Sequence, residues 1–276
     1  MRYLPMIIRS GRNAWRPAAL LSLALGLVLV PGAFSGEDLI PGSVPHIQAF
    51  KPGEILKYNI SWSNIITAGT AVMEVKQETL PDGKEVLRFS VEGHSTGLVD
   101  KFIHVTDMAQ SVFDPVAMQS LEYSLRENYG RKSKRREMVF DPVRRTVVSK
   151  LNEDQPETFT VPDRVLDALS AFYRIRTLDD FNAGKGSAID VHDSGKNWSV
   201  EIQILGREKV TTSMGEFSTI KVRTYPRYEG VFMNKGEVYL WLTDDSRKVP
   251  VLMKSRLTVG SFVLTLTEMK PGAEAR

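Results

Sequence analysis

Apolar and polar residues alternate one for one in segment after segment of this chain. Leu56, Tyr58, Ile60 and Trp62 alternate with Lys57, Asn59 and Ser61. Leu87, Phe89 and Val91 alternate with Arg88, Ser90 and Glu92, and Leu121, Tyr123 and Leu125 with Glu122, Ser124 and Arg126. Trp198, Val200, Ile202 and Ile204 alternate with Ser199, Glu201 and Gln203. Successive side chains of a strand point to opposite faces, so this rhythm gives strands with one face in a core and one in water. Weaker strands are read at 70–75, 108–113, 137–140, 188–192 and 219–225. Turn residues separate them, among them Pro81-Asp82-Gly83, Asp114-Pro115, Asp193-Ser194-Gly195 and Met214-Gly215. Short strands joined by short turns predict an antiparallel meander.

Two segments depart from the rhythm. In 237–242, Val238, Leu240 and Leu242 share one face and Tyr239 and Trp241 the other, so both faces should be covered. Residues 251–259 and 262–269 follow as a closing hairpin around Gly260-Ser261. After Pro162-Asp163, apolar residues fall at Val165, Leu166, Leu169, Phe172 and Tyr173, one stripe of a 3.6-residue period. This predicts a single amphipathic helix over 163–177. The expected fold is all-β with that one helix. Ten or more antiparallel strands form a strongly curved sheet that closes, or half closes, into a β-barrel, because so wide an open sheet tends to curl or split. A β-sandwich is the alternative. The helix would cap or enter the concave side.

The first 35 residues stand apart. They hold four of the 36 Lys and Arg, none of the 33 Asp and Glu, and a 13-residue uncharged apolar run, Ala18 to Val30. Ala33-Phe34-Ser35 then sets small residues at −3 and −1 of a cut before Gly36. This is the pattern of a secretory signal peptide, and a helix spanning ~30 Å of hydrocarbon would want about 20 apolar residues. The expectation is export to the periplasm and cleavage, with no membrane span afterwards. Residues 36–50 read as a linker, 51–270 as a single β domain and 271–276 as a frayed tail. The formal charge of +3 belongs to the leader, and the remainder carries −1. No net field draws nucleic acid to it. The chain has no Cys, so a lipobox, disulfides and thiolate metal sites are excluded.

Three segments carry a family resemblance. Gly53-Glu54-x-x-x-Tyr58 with Ala68-Gly69-Thr70-Ala71 resembles the opening of the bacterial DUF3108 family. Asp167-x-x-Ser170-Ala171-Phe172-Tyr173-x-x-Arg176 resembles its mid-chain helix. Trp241-Leu242-Thr243-Asp244-Asp245-x-x-Lys248-x-Pro250-Val251, followed by Gly260, resembles its C-terminal hairpin. The match runs from about Phe50 to Met269. The resemblance implies an exported, single-domain protein and supplies no catalytic residues.

The residues offer several chemistries, each with a plainer reading beside it. Gly93-His94-Ser95-Thr96-Gly97 fits G-x-S-x-G, but the nucleophile elbow needs a strand–turn–helix over a parallel sheet. Leu98 to Val105 reads instead as leading into another strand, and Ser95 is expected to be inert. Glu54, Asp190, Asp244 and Asp245 are candidate paired carboxylates, with Asp244-Asp245-Ser246 also reading as an ordinary turn. His46, His94, His104 and His192 show no ligand spacing, so no metal is expected, and no cofactor either. Arg131, Lys132, Lys134, Arg135, Arg136, Arg144 and Arg145 form a basic cluster on a hairpin, suited to phosphate, lipid or acidic glycan or to guarding a sheet edge. Aromatic residues on a concave sheet can line a ligand cavity. Tyr58, Trp62, Tyr123, Phe172, Tyr173 and Trp241 are the candidates. The expected function is non-enzymatic binding of an amphiphile or envelope component in that cavity. The alternatives are an envelope polysaccharide- or ester-acting enzyme with carboxylates at the sheet mouth, and an assembly protein using the basic 131–145 hairpin. Expected partners are a lipid, a glycan or an envelope protein. The sequence sets no oligomeric state.

Overall fold

The computed structural model describes residues 48–228, 231–232, 237–256 and 261–273. The leader, most of the 36–50 linker, His46, residues 257–259 of the closing hairpin, its turn residue Gly260 and the last three residues lie outside them. The strands are β1 (Ile55–Trp62), β2 (Ile66–Thr79), β3 (Glu85–Ser95), β4 (Val105–Asp114), β5 (Gln119–Tyr129), β6 (Lys132–Asp141), β7 (Thr146–Leu151) and β8 (Glu157–Thr160). They continue as β9 (Gly186–Asp193), β10 (Lys196–Thr212), β11 (Gly215–Tyr228), β12 (Val231–Phe232), β13 (Val238–Thr243), β14 (Pro250–Arg256) and β15 (Ser261–Lys270). Two helices interrupt them, α1 (Gly97–Phe102) and α2 (Ala168–Ile175).

All the strands belong to one antiparallel sheet, in the order β8-β7-β6-β5-β4-β3-β2-β1-β15-β14-β13-β11-β10-β9, with β12 paired to β11 off this path. Two meanders are therefore joined where the first strand meets the last, with Tyr58 opposite Leu266. Register shifts between β1 and β2, β4 and β5, β10 and β11, and β13 and β14 add curl, since a bulge bends its strand and sharpens its twist. The β10 shift falls at Gly206, whose φ of 143° suits glycine.

The two edges, β8 and β9, come back toward each other without joining in a ladder. Leu166 makes one parallel bridge to Val191, donating its N–H to Asp190 and accepting from His192. Asn197 Nδ2 donates to the Thr160 carbonyl at 2.7 Å. Arg136 of β6, buried, donates to Asp193 and Ser194 in the β9–β10 turn, both at 2.7 Å. The Phe159 ring packs 5.2 Å from the His192 ring. The turn itself has φ of 53° at Ser194 and 74° at Gly195, the hairpin turn that matches strand twist. A Cβ on Gly195 would stand 3.1 Å from the Phe159 ring. The result is a half-open barrel whose seam is held by one backbone bridge and by side chains.

The helix expected over 163–177 is half that length. Residues 161–166 turn at Asp163-Arg164, with Arg164 at φ 53°, Leu166 is spent on the bridge to β9, and the helix begins only after Asp167. Asp167 Oδ1 accepts from the N–H groups of Leu169 and Ser170, a capping arrangement. Its Oδ2 accepts from Ser111 of β4 at 2.6 Å and Ser120 of β5 at 2.5 Å. Burial raises the Asp167 carboxyl above the ordinary range, although these donors pull it back. Leu169, Phe172, Tyr173 and Ile175 are buried in the core, and α2 packs against β3, β4 and β9. It thus enters the concave side, as expected. Three features differ from the sequence reading. The stretch after Gly97 forms the short helix α1. The return strand of the basic hairpin breaks at Pro142 and Arg145 (φ 53°) into β6 and β7, and β8 follows them. The strand read at 198–204 extends over 17 residues as β10. On β13, both faces are covered: Leu240 and Leu242 are buried within, while Trp241 on the opposite face lies under Lys221 and donates to Glu208.

His192 gives the seam a pH dependence. Its Nδ1 lies 2.7 Å from Asn197 Oδ1, and its buried Nε2 has no hydrogen-bond partner among the described residues. Burial lowers its pKa; the Asn197 hydrogen bond and nearby Asp193 oppose this, and Arg136 adds to it. A folded pKa below the unfolded value of about 6.5 means stability that is present above that pH and lost as the pH falls. Thermal melts should therefore show the native chain losing more stability than His192→Gln between about pH 7 and about pH 5. Equal losses in the two chains would reject this assignment.

Candidate functional site

The three resemblance segments meet at one end of the barrel. Arg176, at the C-terminal cap of α2, donates from Nη1 and Nη2 to both Glu54 oxygens, at 2.6 and 2.9 Å. Its Nη2 also reaches the carbonyls of Ala49 (2.6 Å) and Arg247 (3.0 Å). Glu54 immediately precedes β1, and Arg247 lies in the β13–β14 turn, so one guanidinium ties together three distant parts of the chain. Burial alone would lower the Arg176 pKa, but the Glu54 charge and hydrogen bond outweigh it and raise it. The guanidinium sits 5.3 Å from the Phe50 ring centre and 5.5 Å from that of Tyr173. Tyr173 stacks on Phe89 at 4.0 Å, and Phe50 meets both rings edge-on. Tyr58 donates its hydroxyl to the Pro250 carbonyl at 2.9 Å.

These residues fill the concave side with protein. Tyr58, Tyr123, Phe172 and Tyr173 all lie in the buried core, and burial raises the Tyr58, Tyr123 and Tyr173 hydroxyls well above the usual range. Trp62, on the same face of β1 as Tyr58, is only half-buried at the far end of the strand, edge-on to Phe262 at 4.9 Å. Trp241, on the other face of β13 from Leu240 and Leu242, is buried as well, against Lys221 and Glu208. A shallow surface cleft with almost no enclosed space lies beside the approach to α2, with Ser120, Asp141, Arg145, Asp163 and Arg164 in its wall. It is smaller than the ~300–1,000 Å³ of ordinary small-molecule pockets.

The other candidates are spoken for locally. Ser95 donates to Asp100 at 2.5 Å and accepts from the Val105 N–H at 2.9 Å; Asp100 also holds His104 Nδ1 at 2.8 Å. The carboxylate stands between Ser and His, whereas a nucleophile needs the imidazole in that middle place. A helix does follow Ser95, yet the sheet around it is antiparallel. Asp244 pairs with Arg207 at 2.7 Å. Asp245 accepts from Thr243 and from the Arg247 and Lys248 N–H groups, as the turn reading expects. Asp190 is half-buried, and burial raises its pKa. No cluster of three or more His, Asp or Glu could hold a metal among the described residues, and no helix there is long and apolar enough to cross a membrane.

The basic cluster divides into three. Arg131, Lys132, Lys134 and Arg135 are exposed at the β5–β6 tip, Arg136 is buried in the seam, and Arg144 and Arg145 sit at the β6–β7 turn. The six β6 residues 136–141 separate the two exposed groups, roughly 20 Å at about 3.3 Å per residue. Asp167 and Arg176 escaped the sequence reading as structural polar groups. A signal was present: Leu169, Phe172, Tyr173 and Arg176 fall at i, i+3, i+4 and i+7, so an arginine continues the apolar stripe.

The family model for "protein of unknown function (DUF3108)" matches residues 57–267. The chain belongs to the DUF3108 family. No curated protein matches it. Among solved structures, a β-barrel-like protein of a domain of unknown function, DUF1849, from Brucella abortus superposes with a TM-score of 0.57 at 10% identity, covering 82% of this chain and 100% of that one. An inferred lipoprotein from Parabacteroides distasonis gives a TM-score of 0.35 at 12% identity, over 80% of this chain and 97% of the other. An inferred exported protein with a YmcC-like fold from Bacteroides fragilis gives 0.31 at 12%, over the same shares. The first likeness supports the barrel fold.

The three resemblance segments of this DUF3108 chain thus meet in a structural knot. Arg176→Met would leave Glu54 buried without its partner, and urea unfolding should show a loss of about 3–5 kcal/mol. Glu54→Leu combined with Arg176→Met should recover part of that loss, because an apolar pair removes the unpaired charge. A single variant as stable as the native chain would show the pair to be dispensable.

Proposed function

We propose that this DUF3108 protein is a non-enzymatic, exported envelope protein that binds an amphiphilic component of the envelope. The observation carrying the reading is the distribution of side chains. Inside, the charged groups are paired or capped, as in Glu54–Arg176 and Asp167 with its serines. Outside, the bulkiest exposed apolar side chains, Phe102, Ile65 and Leu98, stand with a run of cations at the rim, while the other end exposes the smaller Val116 and Val143 with Arg144 and Arg145. The concave side is occupied by α2 and its aromatic neighbours, which favours a binding surface at the rim, where Trp62 is the one aromatic candidate within reach. Export rests on the leader at 1–35, with the periplasm as destination.

Native mass spectrometry of the protein recovered from cells expressing the full chain tests this. The expected result is a co-purified lipid or glycolipid adduct that dissociates on activation. A bare chain that instead hydrolyses an ester or glycan, and stops doing so in Ser95→Ala or Asp190→Asn, would overturn the reading.

A further inference from the structure

The exposed apolar residues at the rim have a consistent placement. Ile65 and Ile66, 83% and 46% exposed, form the β1–β2 tip, and Leu98 and Phe102, 64% and 85% exposed, lie one helical turn apart on α1. None of α1's residues is buried, so the helix gives its apolar pair to solvent and not to the core. Backbone hydrogen bonds fix it between two hairpin tips. On one side Thr96 N–H donates to Ala68 of β2 at 3.1 Å; on the other, Gly130 N–H at the β5–β6 tip donates to His104 at 2.8 Å. That second tip carries Arg131, Lys132, Lys134 and Arg135, and α1 adds Lys101, all exposed. Lys134 pairs with Glu127 and Arg135 with Glu137, while Arg131, Lys132 and Lys101 form no ion pair among the described residues. Asp100, the one acid on α1, is held by Ser95 and His104.

Resting on the amphiphile reading above, we infer that this rim is a peripheral docking surface for an anionic lipid bilayer: Ile65, Ile66, Leu98 and Phe102 enter the interface while the Arg131–Arg135 tip lies against the headgroups. Large apolar side chains standing out in water mark an interaction site. Cations beside them select a negatively charged partner. Apolar groups sunk about 5–10 Å into the headgroup and acyl boundary, flanked by Lys and Arg, are how proteins lie on such surfaces. The barrel would stand end-on, with the knot end and its cleft turned toward water.

Flotation with vesicles of phosphatidylcholine, with and without roughly one-third phosphatidylglycerol, tests the docking. The protein is that recovered from expression of the full chain. Anionic vesicles should bind it at least about tenfold more tightly at low salt, since each nearby basic residue is worth about fivefold. Phe102→Glu with Leu98→Glu, both at exposed positions, should weaken binding by tenfold or more on the same scale of burial. Arg131→Glu with Lys132→Glu should abolish the preference for anionic vesicles, while Arg144→Glu with Arg145→Glu, at the other end, should leave it intact. Equal binding to both vesicle types overturns the proposal. So does unchanged binding in the Leu98 and Phe102 variant, which would trace adhesion to another part of the chain. A lipid adduct in mass spectrometry without vesicle binding would reject the docking surface and leave the amphiphile reading standing.

Discussion

A buried guanidinium on a carboxylate holds the base of this barrel together. Desolvating two charges costs several kcal/mol each, and their attraction offsets this only with good geometry and further hydrogen bonds. Both conditions are met: the Arg176–Glu54 contact is two-pronged, and the Ala49 and Arg247 carbonyls take the remaining direction of Nη2. The choice of arginine follows, because its planar fork can serve a carboxylate and two carbonyls at once, whereas an ammonium offers a point charge. What the pair supplies is position. It sets where the lead-in to β1, the end of α2 and the β13–β14 turn stand relative to one another. Phe50, drawn in by the same contact, closes the aromatic stack from below.

Such a tie is needed because the sheet does not complete itself. A closed barrel has no edges and holds its shape through its ladder. Here β8 and β9 stop short of pairing, and the chain between them carries α2 into the concave side. The helix therefore does two jobs: it fills the space that an imperfectly closed sheet leaves, and its approach segment contributes the Leu166 bridge to the seam. Asp167 links the two, since one of its oxygens caps the helix and the other takes hydroxyls from β4 and β5. Arg136 and Asn197 complete the seam from the sides.

The strands were legible in the sequence because their cause is local. Alternation at Leu56 to Trp62 or Leu87 to Val91 reports a half-buried strand whatever the rest of the chain does, and Asp193-Ser194-Gly195 marks its turn by conformational preference. The helix was legible in existence but not in extent. The apolar stripe continues through Val165 and Leu166, and only a partner strand 25 residues further on holds Leu166 extended. The basic run looked like one patch because sequence distance is short, yet a strand carries its two ends apart. Hardest to read were the polar groups at Asp167 and Arg176. Their roles depend on Ser111, Ser120 and Glu54, which the topology delivers from far along the chain. The filled interior has the same origin, since alternation shows which side chains face inward and not how much room they leave.

The two ends of the barrel differ in a way that follows from this construction. Turns alternate between them, so β1 begins at the Glu54 knot and finishes at the Trp62 rim, eight residues away, about 26 Å at 3.3 Å per residue. At the knot end, the helix cap, the lead-in strap and the β13–β14 turn meet on the two terminal nitrogens of Arg176. At the rim, backbone hydrogen bonds tie α1 to β2 and to the β5–β6 tip, and Ile65, Leu98, Phe102, Arg131 and Lys132 are left facing water. A chain selected only for stability gains nothing from Phe102 in water, where burying such a side chain would be worth ~1.5–3 kcal/mol. Its exposure beside a run of cations makes sense when a second phase supplies the apolar environment that the core does not.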